Sequence, residues 1–289
     1  MNIRAKNRFH FLSTAAFLIL AAFAGSARGQ IIGIDFYVGS TADQTVLSTD
    51  VVGPYSSAGW YNQVDPNTAP GPGSVALLDS DNSSSGATFG FTQGGNTLSG
   101  NPIYNSTYGV MGSADNTLTP DQQLYNGAVT SAPSSWSQEL VLQNVPYAQY
   151  DVYLLVNAPR VASDTPDIIG SVQDFAGGVV GGAGTTYYFQ DSNQQNALIP
   201  PSLGYVQATG TTLGGATTGA NYIVFTGLTD PNQTFDLLNL TPADQPYSNN
   251  ISLGAVEIVN TANAVPEPST YAMLAGAGAF LMLFRRRRK

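Results

Sequence analysis

Leu140-Val141-Leu142-Gln143-Asn144-Val145-Pro146-Tyr147 leads, after Ala148 and Gln149, into Tyr150-Asp151-Val152-Tyr153-Leu154-Leu155-Val156. This stretch decides the fold class. An apolar run stops at a proline-bearing turn, and a second run of β-branched, aromatic and leucine residues follows. Both runs are too short for a helix and lack a 3.6-residue apolar period, so they read as strands. The same pattern recurs across the middle of the chain. Strands are expected at Ile31–Val38, Val75–Asp79, Ala87–Thr92, Gln138–Leu142, Tyr150–Val156, Thr185–Gln190, Gly204–Thr209, Tyr222–Thr226, Thr234–Leu240 and Ile251–Val259. Gly- and Pro-rich segments such as Pro70-Gly71-Pro72-Gly73 punctuate them. One short helix is expected near Thr119-Pro120-Asp121-Gln122-Gln123, with Thr119 as cap, Pro120 at its first position and Gln122 closing a capping box. Ile251–Val259 is apolar on both alternating faces, so it belongs in the centre of a sheet. An early first strand and a central last strand suit an all-β, jelly-roll-like sandwich.

Charge excludes whole classes of function. The 289 residues carry a net charge of −9, but nine of the ten bases lie at the two ends. Between Gln30 and Ala264 one base, Arg160, faces 18 acids, for a net −17. Such a surface repels phosphate backbones and argues against nucleic acid as a partner. There is no cysteine, and the single histidine, His10, lies in the N-terminal leader. Thiolate zinc sites, cysteine nucleophiles and Ser-His-Asp triads are therefore excluded from the body.

The ends speak of export. Arg4, Lys6 and Arg8 precede an apolar stretch from about Phe9 to Phe23, then the small residues Ala24, Gly25, Ser26, Ala27 and Gly29. This is the three-part layout of a signal peptide over residues 1–29, cut by signal peptidase after Ala27 or Gly29, with Ala24 and a retained anchor helix as alternatives. The body spans 30–260. The tail, 261–289, holds an uncharged run from Pro268 to Phe284, near the lower limit for a membrane-spanning helix, and then Arg285, Arg286, Arg287, Arg288 and Lys289 as a stop-transfer cluster. Body outside and tail inside follow from this layout.

Val265-Pro266-Glu267-Pro268, the apolar helix and the arginine cluster, in that order at the extreme C-terminus, resemble the PEP-CTERM sorting signal of Gram-negative-type bacteria. The resemblance covers about 25 residues. It implies an exported, membrane-anchored precursor, processing by exosortase near the Pro-Glu-Pro motif, and delivery to the cell surface or the exopolysaccharide matrix. Pro266 and Pro268 also bias the residues before them to extended geometry, which suits a protease substrate. More weakly, Leu124-Tyr125-Asn126-Gly127, the Val145-Pro146 to Tyr153 segment and the closing strand resemble the β-sandwich bodies joined to such tails, which look like galactose-binding-type carbohydrate-binding modules.

Three features of the body could carry chemistry. Asp79 and Asp81 in Asp79-Ser80-Asp81-Asn82-Ser83-Ser84-Ser85-Gly86 place oxygens at alternate positions, as a calcium loop does, but without the glycine and glutamate of an EF-hand; a solvated turn is the competing reading. Glycoside hydrolysis would need two facing carboxylates. The body's two glutamates, Glu139 and Glu257, fall in expected strands at positions compatible with solvent, where plain surface acids are the simpler reading. Aromatic rings could stack on sugars. Tyr55, Trp60, Tyr61, Tyr104, Tyr108, Trp136 and Tyr147 are candidates, with Trp60-Tyr61-Asn62 foremost, against a role in packing. The expectation is a non-enzymatic surface or matrix protein that binds polysaccharide and needs no cofactor, calcium being the one candidate. A polysaccharide-active enzyme using paired carboxylates and a purely structural matrix protein are the alternatives.

Overall fold

The computed structural model describes residues 30–36, 46–64, 73–93, 96–97, 119–125, 129–130, 138–158, 169–177, 184–190, 204–240 and 251–262. Its strands are β1 (Ile31–Phe36), β2 (Asn62–Val64), β3 (Val75–Leu78), β4 (Ser84–Gln93), β5 (Asn96–Thr97), β6 (Val129–Thr130), β7 (Gln138–Gln143), β8 (Tyr150–Asn157), β9 (Ile169–Ala176), β10 (Thr186–Gln190), β11 (Thr217–Thr218), β12 (Tyr222–Leu228), β13 (Gln233–Asn239) and β14 (Ser252–Asn260). They form two sheets. One runs β12-β8-β14-β1-β2, with β6 also paired to β14; the other runs β11-β10-β9-β13-β7-β4-β3, with β5 on β4. All pairings are antiparallel except β1 with β2 and β10 with β11. Residues Gln30–Ala262 make one compact unit.

The turn after Leu140–Gln143 does more than reverse the chain. It carries the backbone from the second sheet (β7) into the first (β8). Asn144 takes φ 56°, a conformation asparagine tolerates, and the Val145 N–H bonds Pro231 O at 2.9 Å. Val145 and Tyr147 are buried at the margin of the core. Val152, Leu154 and Val156 of β8 then point between the sheets, where they meet Ile32, Ile34 and Phe36 of β1 and Phe89, Phe91, Leu140 and Leu142 from the facing sheet. Phe36, Phe89 and Phe91 interlock with ring centroids 5.5–6.1 Å apart, the tilted and edge-on packing aromatic quadrupoles favour.

β14 lies between β8 and β1 and is buried on both faces, as its two-sided apolar pattern predicts. Its outer face is sealed by a second apolar cluster of Val46, Val52, Trp60, Leu124, Tyr125, Leu155 and Ala255. The short helix α1 (Pro120–Gln123) has both halves of the expected capping box: Thr119 Oγ1 accepts from Gln122 N–H, and Gln122 Oε1 accepts from Thr119 N–H.

The strands differ from expectation at Gly204–Thr209, at β9 and at the short β2, β5, β6 and β11. Gly204–Thr209 holds one isolated bridge, Gln207 with Tyr222, rather than a strand, because the Asn221 side chain supplies part of its pairing: Oδ1 accepts from Val206 N–H at 2.8 Å and Nδ2 donates to Gly204 O at 3.0 Å. β9 was not expected, since Gly170, Ser171, Gln173 and Asp174 interrupt its apolar pattern; pairing on both sides, with β10 and β13, holds it in the sheet. Among the described residues no helix is long and apolar enough to cross a membrane. The expected signal peptide and the tail helix lie outside them.

Candidate functional site

The outer face of the β12-β8-β14-β1-β2 sheet holds the densest polar and aromatic cluster. Cross-strand register sets Val224, Tyr153, Glu257 and Gly33 in one row, and Tyr222, Leu155, Ala255 and Asp35 in approximately the next. Strand alternation puts these side chains opposite the core-facing Val152, Leu154, Val256 and Ile258. Residues 46–61 cross this face. Trp60 lies against Gly33, where a Cβ would stand 2.8 Å from Trp60 Cε3. Its indole N–H donates to Ser57 O at 3.1 Å.

That cover is tied to Glu257. Ser57 Oγ donates to Glu257 Oε1 at 2.6 Å, and Tyr55 N–H donates to Oε2 at 3.2 Å. Gly53, at φ 88°, brings its backbone against the same carboxyl, with no room for a side chain. The Gly53 N–H donates to Asp121 Oδ1 and to Tyr205 Oη, both at 3.1 Å, and the Tyr205 hydroxyl donates in turn to Asp121. Helix α1 thus anchors the cover through Asp121.

Glu257 is fully buried. Burial pushes its carboxyl up to about 7, against the pull of the Ser57 and Tyr55 hydrogen bonds, and the Asp121 charge pushes the same way. Asp35 is also fully buried and is pushed up to about 8 by desolvation, although Val46 N–H donates to its Oδ2 at 3.0 Å. The sequence between Gln30 and Ala264 offers only Arg160 as a cation, and Arg160 lies outside the described residues. Raised carboxyl pKa values are the physical result of burial with no counter-charge among the described residues.

Four tyrosines stand at the edge of the cover. Tyr55 is 46% exposed, and its ring centroid is 5.8 Å from that of Tyr153. Tyr153 and Tyr222 lie 6.3 Å apart with ring planes at 24°, and Tyr205 meets Tyr222 edge-on at 6.1 Å. Sequence reasoning singled out only Tyr55 of these. The alternation in Tyr150-Asp151-Val152-Tyr153 could have put Tyr153 on the outer face, but neither its neighbours nor its exposure could be read from it.

Several expected site residues have other roles. Trp60 is 1% exposed, so its ring is packing and not a sugar-stacking face. Asn62 is buried too: its Nδ2 donates to Gly33 O and Leu78 O, and its Oδ1 accepts from Leu78 N–H, joining β1 and β3. Of that trio only Tyr61 reaches solvent. Glu139 and Glu257 are not surface acids: both are buried, and Thr92 Oγ1 donates to Glu139. Asp79 is buried and accepts from the Tyr147 hydroxyl at 2.6 Å; burial raises its pKa. Asp81 is exposed and accepts from Ser83 N–H at 2.9 Å. Among the described residues no group of three or more His, Cys, Asp or Glu is placed to hold a metal ion. Tyr104, Tyr108, Trp136, the Val265-Pro266-Glu267-Pro268 motif and Arg285–Arg288 lie outside the described residues.

Body and tail together define an all-β sandwich protein with a C-terminal sorting signal. Residues 264–289 match the family model of the PEP-CTERM protein-sorting motif, so the chain is a PEP-CTERM sorting domain-containing protein. Among curated proteins, none matches the chain.

Proposed function

We propose that the chain is exported through its N-terminal signal peptide, held by its tail as a membrane-anchored precursor, and processed by exosortase. The body then acts at the cell surface or in the exopolysaccharide matrix as a non-catalytic, polysaccharide-binding module. The match over residues 264–289 carries the sorting part of this reading. The body's topology supports an adhesive module. Its principal strands cross between sheets ordered β1-β14-β8-β12 and β7-β13-β9-β10 at every step except β9 to β10, which stay in one sheet, the connectivity of a jelly roll. A non-catalytic role is supported by Glu257, whose raised carboxyl resembles that of a general acid but is sealed from solvent and so from substrate.

Replacing Glu267 or Pro268 with alanine tests the sorting. In an exosortase-bearing host the variants are expected to accumulate as larger precursors in the membrane fraction. Release equal to wild type would refute processing at this motif. Assaying reducing-end release alongside tests the alternative: turnover of polysaccharide would make the body an enzyme.

A further inference from the structure

Three tyrosines on the outer face have no part in either apolar cluster. Tyr55, Tyr153 and Tyr222 are absent from the inter-sheet core and from the cluster under Trp60. Their rings nevertheless follow one another, 5.8 Å and then 6.3 Å between centroids, from the exposed Tyr55 of the covering segment to the half-buried Tyr153 of β8 and Tyr222 of β12. We propose that this line is the contact surface for an uncharged polysaccharide chain. The proposal rests on the reading above that the body binds polysaccharide, and names where and which kind.

The supports of the line are fixed. Tyr55 is held through its backbone N–H on Glu257 Oε2, and Gly53 beside it is pinned by Asp121 and Tyr205. Tyr153 and Tyr222 stand on paired strands, β8 and β12. A platform ordered before its ligand arrives loses little entropy on binding, and tyrosine has few torsions to freeze. Ring faces can cover the C–H faces of sugar rings, and hydroxyl groups at the rim can exchange hydrogen bonds with sugar hydroxyls. The Tyr222 hydroxyl already lies 3.5 Å from Gln207 Oε1 at one end of the line.

Charge selects the ligand class. With one base against 18 acids between Gln30 and Ala264, a uronic-acid or sulfated polymer would be repelled and would find no ion-pair partner among the described residues. A neutral glycan meets neither obstacle.

Affinity electrophoresis of the full-length chain in a zwitterionic detergent tests this, with galactomannan, xyloglucan or dextran in the gel and alginate as the acidic polymer. Wild type should be retarded by at least one neutral polymer and not by alginate. The double variant Tyr153→Ala/Tyr222→Ala should bind roughly tenfold to a hundredfold more weakly, the scale of two lost aromatic contacts, while Tyr153→Phe/Tyr222→Phe should keep most of the affinity. Tyr55→Ala, at an exposed side chain, should weaken binding without unfolding the chain, and so covers the case of a double variant that fails to fold. Wild-type retardation that survives both alanine variants would overturn this surface while leaving polysaccharide binding standing. No retardation by any neutral polymer would remove both. Preference for alginate would refute the charge argument. A self-association abolished by the alanine variants, without retardation, would make the face an interface between copies.

Discussion

Glu257 should make the stability of the body fall with rising pH in a way that one substitution cancels. In the unfolded chain its carboxyl ionises near 4.5; in the fold, burial holds ionisation back to about 7. Below pH 4.5 both states are protonated and the contribution is fully present. As pH rises, the unfolded state loses its proton first and is favoured, so the contribution declines through this window and is gone above about pH 7. At about 1.4 kcal/mol per pH unit, the loss is about 3 kcal/mol. Glu257→Gln removes the titration and keeps the shape. Both Glu257 oxygens accept, from Ser57 Oγ and from Tyr55 N–H; in the glutamine Oε1 can keep the Tyr55 N–H while the Ser57 hydroxyl, which can also accept, turns to take the amide Nε2. Asp35, pushed up to about 8, adds its own slope to both proteins and drops out of their difference. Urea unfolding of residues 30–262 between about pH 4.5 and pH 8 measures this. The stability of wild type relative to Glu257→Gln should fall by about 3 kcal/mol across the window. A difference independent of pH would refute the argument, since it would mean that Glu257 ionises in the fold as it does in the open chain.

Gly33→Ala should cost about 1–3 kcal/mol by overpacking, since the added Cβ would meet Trp60 Cε3 at 2.8 Å; an unchanged urea midpoint would show that Trp60 can move aside freely. Monovalent salt should raise the melting temperature of the body modestly by screening its net −17, and a lower midpoint in salt would contradict the repulsion argument. Calcium should add nothing beyond sodium chloride at matched ionic strength, because Asp79 is engaged by Tyr147 and Asp81 by Ser83. A higher midpoint in calcium would mark the loop at Asp79 and Asp81 as a metal site.

Much of this protein was legible before any tertiary structure. Most of the longer strands follow from the chemistry of short apolar runs, and the α1 capping box from Thr119 and Gln122 three positions apart. The central place of β14 follows from apolar side chains on both its faces. The sorting tail is legible because its Pro-Glu-Pro motif, uncharged run and arginine cluster are contiguous in sequence, so no folding is needed to assemble them. The candidate site was hidden because it is assembled from distant segments. Alternation told which side of a strand Glu257 occupies, but not whether that side is wet. What dries it is residues 46–61, whose Ser57 reaches Glu257 across 200 positions of sequence. The same cover turned Trp60 from a candidate sugar contact into packing and left Tyr55, Tyr153 and Tyr222 at its margin. Sequence by itself determined most of the longer strands, the charge and the sorting motif, because these depend on local composition. Only the tertiary structure decided which polar groups lost their water, because desolvation depends on what another part of the chain lays over them.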